Sequence, residues 1–454
     1  MGQEQSSSRA VGRDTDPMIL RRALGDQLGE EGQSAQEVMQ HLTIAASTGL
    51  VDTIGPRYFG FVIGGALPAA VAADQWVSST DQNAGFYVLS PASSVIEEIT
   101  SEWILDLLRL PRRAAVGFVT GGQMANTMCL AAARNKMLRQ AGWDVGQQGL
   151  AGSPELRVLT SAESHGTINR ALALLGIGSA TAVHIPADDQ GSMRADALEQ
   201  ELNSRTVPTI VCAQAGNVNT GSFDPLRAIG ESCNKYGAWL HIDGAFGLWA
   251  RAAEATRALT DGAELADSWS TDAHKWLNVP YDCGMAMVRE EADLLAATAY
   301  EGCYLVKSEE SSRRDPCHYT PESSRRARAT PVFAALRELG RQGVDELVTR
   351  CCSHARLFAE LLGEAGADIP NDVVINQVLV GFAPPEGRVE AEFIDACVSR
   401  IQEEGTCWLG ATTWQGRRLI RISVSNWRTT ESDVYASVAA ILGCVVEEGE
   451  FLRR

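Results

Sequence analysis

The chain of 454 residues contains no run of about 18 uncharged apolar residues, the length a membrane-crossing helix requires, so no such segment is expected. Its first residues, MGQEQSSSRAVGRDTDP, lack the apolar centre of a secretory signal. Gly2 followed by Ser6 and Ser7 has the outline of a myristoylation signal, but the acidic context and the missing second anchor mark a chance match. Positive charge is scarce. Lys and Arg number 39 against 57 Asp and Glu, a net charge of −18, which argues against general binding to phosphate backbones. None of the 11 Cys forms a CxxC pair, and the adjacent Cys351 and Cys352 do not suit an ordinary structural bridge. An odd count at irregular spacing reads as reduced thiols in a cytoplasmic protein. A Walker A loop, a GxGxxG fingerprint and internal repeats are also missing. What remains, 45% hydrophobic and 21% charged residues, suits a globular protein of two or three structural units.

Residues 1–16 are polar and read as a disordered tail, and apolar spacing over 24–50 and 97–108 suits helices. Then a rhythm sets in. Short apolar runs at 114–120, 157–161, 181–186, 209–215, 238–243, 267–271 and 283–288 alternate with helical patterns at 124–139, 168–175, 195–202 and 225–235. That alternation predicts an α/β fold, a mostly parallel sheet of seven strands with flanking helices. The last run has no long helix before it, so an antiparallel strand fits there. Residues 307–328, rich in Ser, Glu and Arg, read as a long exposed loop of the kind that often serves as a mobile lid. Helical pattern over 331–366, strand-like runs at 377–382 and 419–425, and a helix near 389–403 predict a smaller C-terminal α+β domain. The division expected is 1–58 as tail and helical segment, 59–330 as the large domain and 331–454 as the small one.

In an open α/β sheet, ligands gather at the carboxyl ends of the strands. Five chemically suggestive segments sit at such ends. Lys275, in STDAHKWL, is costly in an apolar setting unless paired, and a desolvated amine becomes available for a Schiff base. Asp243, in HIDGAFG, ends a strand and can pair with a protonated pyridine nitrogen, or simply cap a turn. The turn Thr120-Gly121-Gly122-Gln123 runs into a helix whose N–H groups and dipole suit a phosphate. His165, in ESHGT, can stack on a flat ring, and Asn217 and Asn219 follow another strand. A competing arrangement, His241 and Asp243 with His274 as a two-His, one-carboxylate metal triad, leaves Lys275 and the glycine turn without roles. No metal is expected.

With HIDGAFG and SHGT upstream and TGGQMAN at the first strand end, DAHKWLNVPYDCG resembles the group II pyridoxal-phosphate decarboxylases, which include aromatic-L-amino-acid, histidine and glutamate decarboxylases. The resemblance runs from about Tyr58 to Thr430. It implies a fold-type I enzyme, a homodimer with shared active sites, bound to pyridoxal 5'-phosphate and acting on a small amino-acid substrate. Carried over, Lys275 would hold the cofactor as an imine, Asp243 would pair with the ring nitrogen, His165 would stack over the ring and Ala245 would pack beneath it. Gly122, Gln123, Met124, Asp272 and His274 match positions near the phosphate, and Arg421 one near a substrate carboxylate. The segment Gly216–Thr220 stands where the animal amine-forming enzymes carry a run of Thr, and Asn217 and Asn219 within it are expected to contact the cofactor. Phe86 and Tyr87 are candidates for an aromatic substrate pocket, and Tyr319 for the proton donor from a mobile loop.

The mechanism implied is decarboxylation of an L-amino acid, weakly favouring an aromatic one, to carbon dioxide and an amine. Alternatives with the same cofactor are oxidative deamination to an aldehyde, transamination or another carbon–carbon cleavage. A non-enzymatic scaffold is disfavoured by the intact Lys275 and Asp243.

Overall fold

The computed structural model describes residue 11, residues 15–299 and residues 313–451. Two N-terminal helices, α1 (Pro17–Leu24) and α2 (Ala35–Ala46), are capped by Asp16 and by a Ser34/Glu37 capping box. They bury almost nothing within the chain. Helix α3 (Pro68–Thr80) was not anticipated, although Pro68 at its first position is a starting signal. Helix α4 (Pro91–Leu107) begins six residues earlier than its apolar spacing suggests, because Ser90 caps it and Pro91 follows.

All seven apolar runs become strands. In chain order they are β1 (Ala115–Val119), then α5 (Gly122–Gln140) and the short α6 (Val145–Gln148), β2 (Arg157–Ser161), α7 (Gly166–Leu174), β3 (Ala182–Ile185), α8 (Ala195–Ser204), β4 (Thr209–Gln214), α9 (Leu226–Tyr236), β5 (Trp239–Asp243), β6 (Ser268–Asp272) and β7 (Gly284–Val288). The sheet order is β1-β7-β6-β5-β4-β2-β3, with β7 antiparallel to both of its neighbours and the other pairs parallel. Six strands therefore run one way and end on one edge. Helix α10 (Glu291–Thr298) follows β7.

Helix α11 (Ala329–Glu364) is long and kinked at Gly340, whose φ of +60° breaks the helical path. It leads to a second sheet, with β8 (Gln377–Val380), α12 (Glu390–Glu404), β9 (Gly410–Trp414), β10 (Arg417–Ser423) and the final helix α13 (Glu431–Phe451). The order is β8-β10-β9, antiparallel throughout. Strand β9 was missed in the sequence. Its signal is the two-residue turn Gln415-Gly416, both at positive φ, which is the usual hairpin geometry. Helix α13 was missed too, although Thr430 and Asp433 exchange the bonds of a capping box at its start.

One expectation fails. Of the stretch read as an exposed loop, residues 307–312 lie outside the described residues, and the described remainder is packed. Arg325 and Glu97 form an ion pair at 2.8 Å with both side chains fully buried, and Arg325 also donates to the Phe118 carbonyl. Charges that look solvated in one dimension are partnered in three. Most of the expected tail, 1–10 and 12–14 with Gly2, Ser6 and Ser7, also lies outside the described residues. Val11 is buried and donates its N–H to the Gly405 carbonyl.

Candidate active site

Alternation along a strand puts every second residue on one face. Trp239, His241 and Asp243 share a face of β5, and the registered pairs His241–Ser268 and Asp243–Ser270 put Ser268, Ser270 and Asp272 of β6 beside them. Helix α5 covers this face. Gly122 and Asn126, four residues apart, lie on the same side of it. The result is a polar stripe that ends in a cavity of about 210 Å³ at the carboxyl ends of the strands.

Asp243 closes β5 and is buried. Its Oδ2 accepts from Asn126 Nδ2 at 3.0 Å, with Thr167 Oγ1 3.4 Å away, and its Oδ1 from the Ala245 N–H at 3.2 Å. Lys275 lies three residues beyond β6, with Nζ 2.9 Å from Asp272 Oδ2. The other Asp272 oxygen is buried and has no hydrogen-bond partner. The turn around Lys275 is pinned from two sides. Gly64 passes so near the Lys275 carbonyl that no Cβ fits there, and Asn278, at φ +57°, donates to the carbonyls of Trp276 and Ser425. The former contact draws Phe61 and Val62 into the pocket wall.

At the other end of the cavity, α5 begins at Gly121, which has no side chain to cap it. The first-turn N–H groups of a 19-residue helix are thus left open, an anion site by construction. A Cβ on Gly121 would stand 2.9 Å from the His274 ring, and one on Gly122 2.9 Å from Asp272. Only glycine leaves this cradle free. His165 caps α7, its Nδ1 accepting from the Thr167 N–H at 3.3 Å and from the Thr167 hydroxyl at 2.9 Å. Nε2 therefore carries the proton of the neutral ring. Desolvation in the pocket lowers the pKa of this imidazole, against the opposing pull of Asp243. Arg421, from β10, completes the wall. Among the described residues its one hydrogen-bond partner is Asn219 Oδ1 at 3.5 Å and no carboxylate pairs with it.

Of the residues singled out in the sequence, the cavity brings together Gly122, Gln123, His165, Asp243, Ala245, Asp272, Lys275 and Arg421. Others stand behind it. His274 stacks on Tyr281 and accepts from the Cys283 N–H, while Met124 packs against the core. Asn217 folds its own turn, accepting from the N–H groups of Asn219 and Thr220. Asn219 braces Arg421 and accepts from Thr412. His241, weighed as a metal ligand, spends both ring nitrogens on Ser268 and Asn126.

Phe86 and Tyr87 do not line the cavity of their own chain. The Arg313 guanidinium lies over the Tyr87 ring, whose residue donates its N–H to Asp315. Tyr319 requires a correction. It is not in a mobile loop but in a short helical turn, buried, with its hydroxyl donating to Glu291 and the Arg314 guanidinium 3.6 Å over its ring. Burial first, and then the Glu291 bond, raise its pKa, and the cavity lining excludes it.

Sequence reasoning missed Asn126, Thr167, Phe61, Val62, Gln214 and Phe246, all of which line the cavity. Asn126 had a readable signal, since a polar residue four positions after the glycine turn must face the same way as the turn itself. The aromatic and aliphatic wall had none, because the segment 57–65 is placed only by its approach to the Lys275 turn.

A family model described as the pyridoxal-dependent decarboxylase conserved domain matches residues 17–382. The acidic amino acid decarboxylase GADL1 of Mus musculus is 27% identical over 424 residues, covering 88% of this chain and 75% of that protein. The aromatic-L-amino-acid decarboxylase of Rattus norvegicus is 26% identical over 447 residues, covering 93% and 90%. Among solved structures, that of Oryza sativa TDC with PLP and tryptamine superposes with a TM-score of 0.89 at 22% identity, covering 97% of this chain and 94% of that one.

Proposed function

The chain belongs to the pyridoxal-dependent decarboxylase family and is a pyridoxal-phosphate-dependent amino-acid decarboxylase, and from that premise we propose the part each residue plays. The observation that carries the reading is the convergence of Lys275, Asp243, His165 and Arg421 on one cavity beside an uncapped helix terminus. Pyridoxal phosphate, when bound, supplies an electron sink for the pair released as carbon dioxide leaves.

Lys275 would hold the cofactor covalently, and Asp272 keeps its amine positioned at 2.9 Å. Asp243, fixed by Asn126 and the Ala245 N–H, would face the ring nitrogen and hold its proton in place. The first turn of α5, with Gly122 and Gln123, would receive the phosphate, and Met124, Asn217, Asn219 and His274 would support that shell from behind. Ala245 and His165, both in the cavity lining, would enclose the cofactor ring between them. With Nδ1 committed to Thr167, His165 presents Nε2–H to the pocket, where it or a water returns a proton to Cα. Arg421, a cation without a carboxylate partner among the described residues, would receive the substrate carboxylate.

An aromatic side chain fits this pocket better than an acidic one. Once Lys275 and Arg421 are used, the described lining offers no third cation, while Phe61, Val62, Val218 and Phe246 form apolar walls. A panel of L-amino acids, followed for carbon dioxide, amine, aldehyde and peroxide, tests this. Carbon dioxide and amine in equal amounts, fastest from aromatic substrates, are expected, whereas preference for Glu or Asp would refute the side-chain assignment. Residues 59–330 form the cofactor domain and 331–454 the small domain that contributes Arg421. The seven-stranded sheet within the first and the three-stranded sheet within the second support that division.

The enzyme is a homodimer with shared active sites. Its support is unburied apolar surface. Met18, Ile19, Met39 and Ile44 on α1 and α2 are more than half exposed, as are Val88 and Leu89 beside Tyr87. A second copy covering these surfaces would bring Phe86 and Tyr87 toward the neighbouring site. Light scattering should return twice the mass of 48.8 kDa, and a fully active monomer would overturn the assignment. A reducing, cytoplasmic setting suits the ten described cysteines, all buried and unpaired.

A further inference from the structure

The polar stripe beneath Asp243 has a direction that can be worked out from bonding rules alone. An ionised carboxylate only accepts, so the Asn126 atom at 3.0 Å from Asp243 Oδ2 is Nδ2. Its carbonyl then turns the other way, to within 2.6 Å of Ser270 Oγ and 2.9 Å of His241 Nε2, and both must donate to it. Burial holds the His241 imidazole below the ordinary histidine range, so the ring is neutral. With its single proton on Nε2, Nδ1 accepts from Ser268 Oγ at 3.0 Å. That hydroxyl accepts in turn from the Trp239 indole N–H, which can only donate, at 2.9 Å. Every hydrogen in the row Trp239, Ser268, His241, Asn126 points toward Asp243.

We propose that Asn126 and His241 are positioning residues for Asp243, a fully buried one-way donor chain that fixes both the rotamer of the carboxylate and its state as an acceptor toward the pocket. The amide of Asn126 is polarised from both ends, with two donors on its oxygen and two acceptors, Asp243 and Thr167, on its nitrogen. Reversing any one link sets donor against donor or acceptor against acceptor along the row. This rests on the reading that Asp243 serves the ring nitrogen of the cofactor.

The test needs a readout besides turnover. In the full-length protein freed of cofactor, ¹⁵N NMR of the histidine rings should show His241 protonated at Nε2 and bare at Nδ1 at pH 7. A ring protonated at Nδ1, or at both nitrogens, overturns the proposal whatever the variants do. Asn126→Ala should weaken pyridoxal phosphate binding and lower kcat by roughly ten- to a hundredfold, the range found when an outer partner of a liganding group is removed, with KM little changed. His241→Leu should weaken binding to a similar degree. His241→Gln, which can still donate to Asn126, should recover to within about threefold. Binding and visible absorbance unchanged in Asn126→Ala or His241→Leu, in protein where Asp243→Asn has lost turnover, would refute the donor chain alone. A silent Asp243→Asn would instead refute the reading beneath it. If Asn126→Ala does not fold, the histidine pair and the NMR assignment still decide.

Discussion

Lys275→Ala is expected to lose decarboxylation by about a thousandfold or more, because the residue acts as one unit with the cofactor rather than as one contact among many. The fold should survive. Lys275 pairs with a buried carboxylate, and breaking a fully buried pair costs about 3–5 kcal/mol. Its own side chain is 22% exposed, so the loss here should be smaller, a modest drop in Tm. Cofactor absorbance should no longer survive gel filtration, while circular dichroism stays that of the native protein. Retained turnover with intact visible absorbance would exclude Lys275 from the role assigned to it.

The second large effect is Asp243→Asn. Asp243 accepts from Asn126 at one oxygen and from the Ala245 N–H at the other. An amide supplies one acceptor in place of two, and its NH₂ group must then face another donor. Losing a charge-assisted hydrogen bond costs roughly 1.5–3 kcal/mol, or ten- to a hundredfold. A larger fall in kcat is expected here, since a neutral amide cannot balance a pyridinium charge. Some cofactor should remain bound through Lys275 and the α5 terminus. Steady-state kinetics with a spectral titration separates the two effects, and a near-normal kcat would remove Asp243 from the chemistry.

The parts of the site that the sequence made legible are those carried by strand ends. Asp243 and Lys275 follow apolar runs directly, so their position at the sheet edge follows from period and length. His165 and the glycine turn were readable for the same reason. What was not legible depends on partners distant in sequence. Phe61 and Val62 reach the cavity only because Gly64 packs on the Lys275 carbonyl, a contact that no local pattern announces.

Tyr319 was misjudged because Arg314 and Arg325 look like loop charges. Glu97, more than 200 residues away, pairs with Arg325 in the interior and draws the segment inward. Conversely, His241 and Asp243 were correctly read as sharing a face, and the metal triad weighed for that face was set aside in favour of Asp243 facing a pyridine nitrogen. Asn126 from α5 occupies the space instead.

The chain has only four lysines, Lys136, Lys235, Lys275 and Lys307, which makes the central claim open to a single measurement. Lys136 is paired with Asp293 and Lys235 with Glu199, both away from the cavity lining. Borohydride reduction of the holoenzyme, followed by peptide mass mapping, should place the pyridoxyl group on the peptide containing Ala273-His274-Lys275-Trp276 and nowhere else. Label on Lys136, Lys235 or Lys307, or none at all in an active yellow protein, would contradict the account.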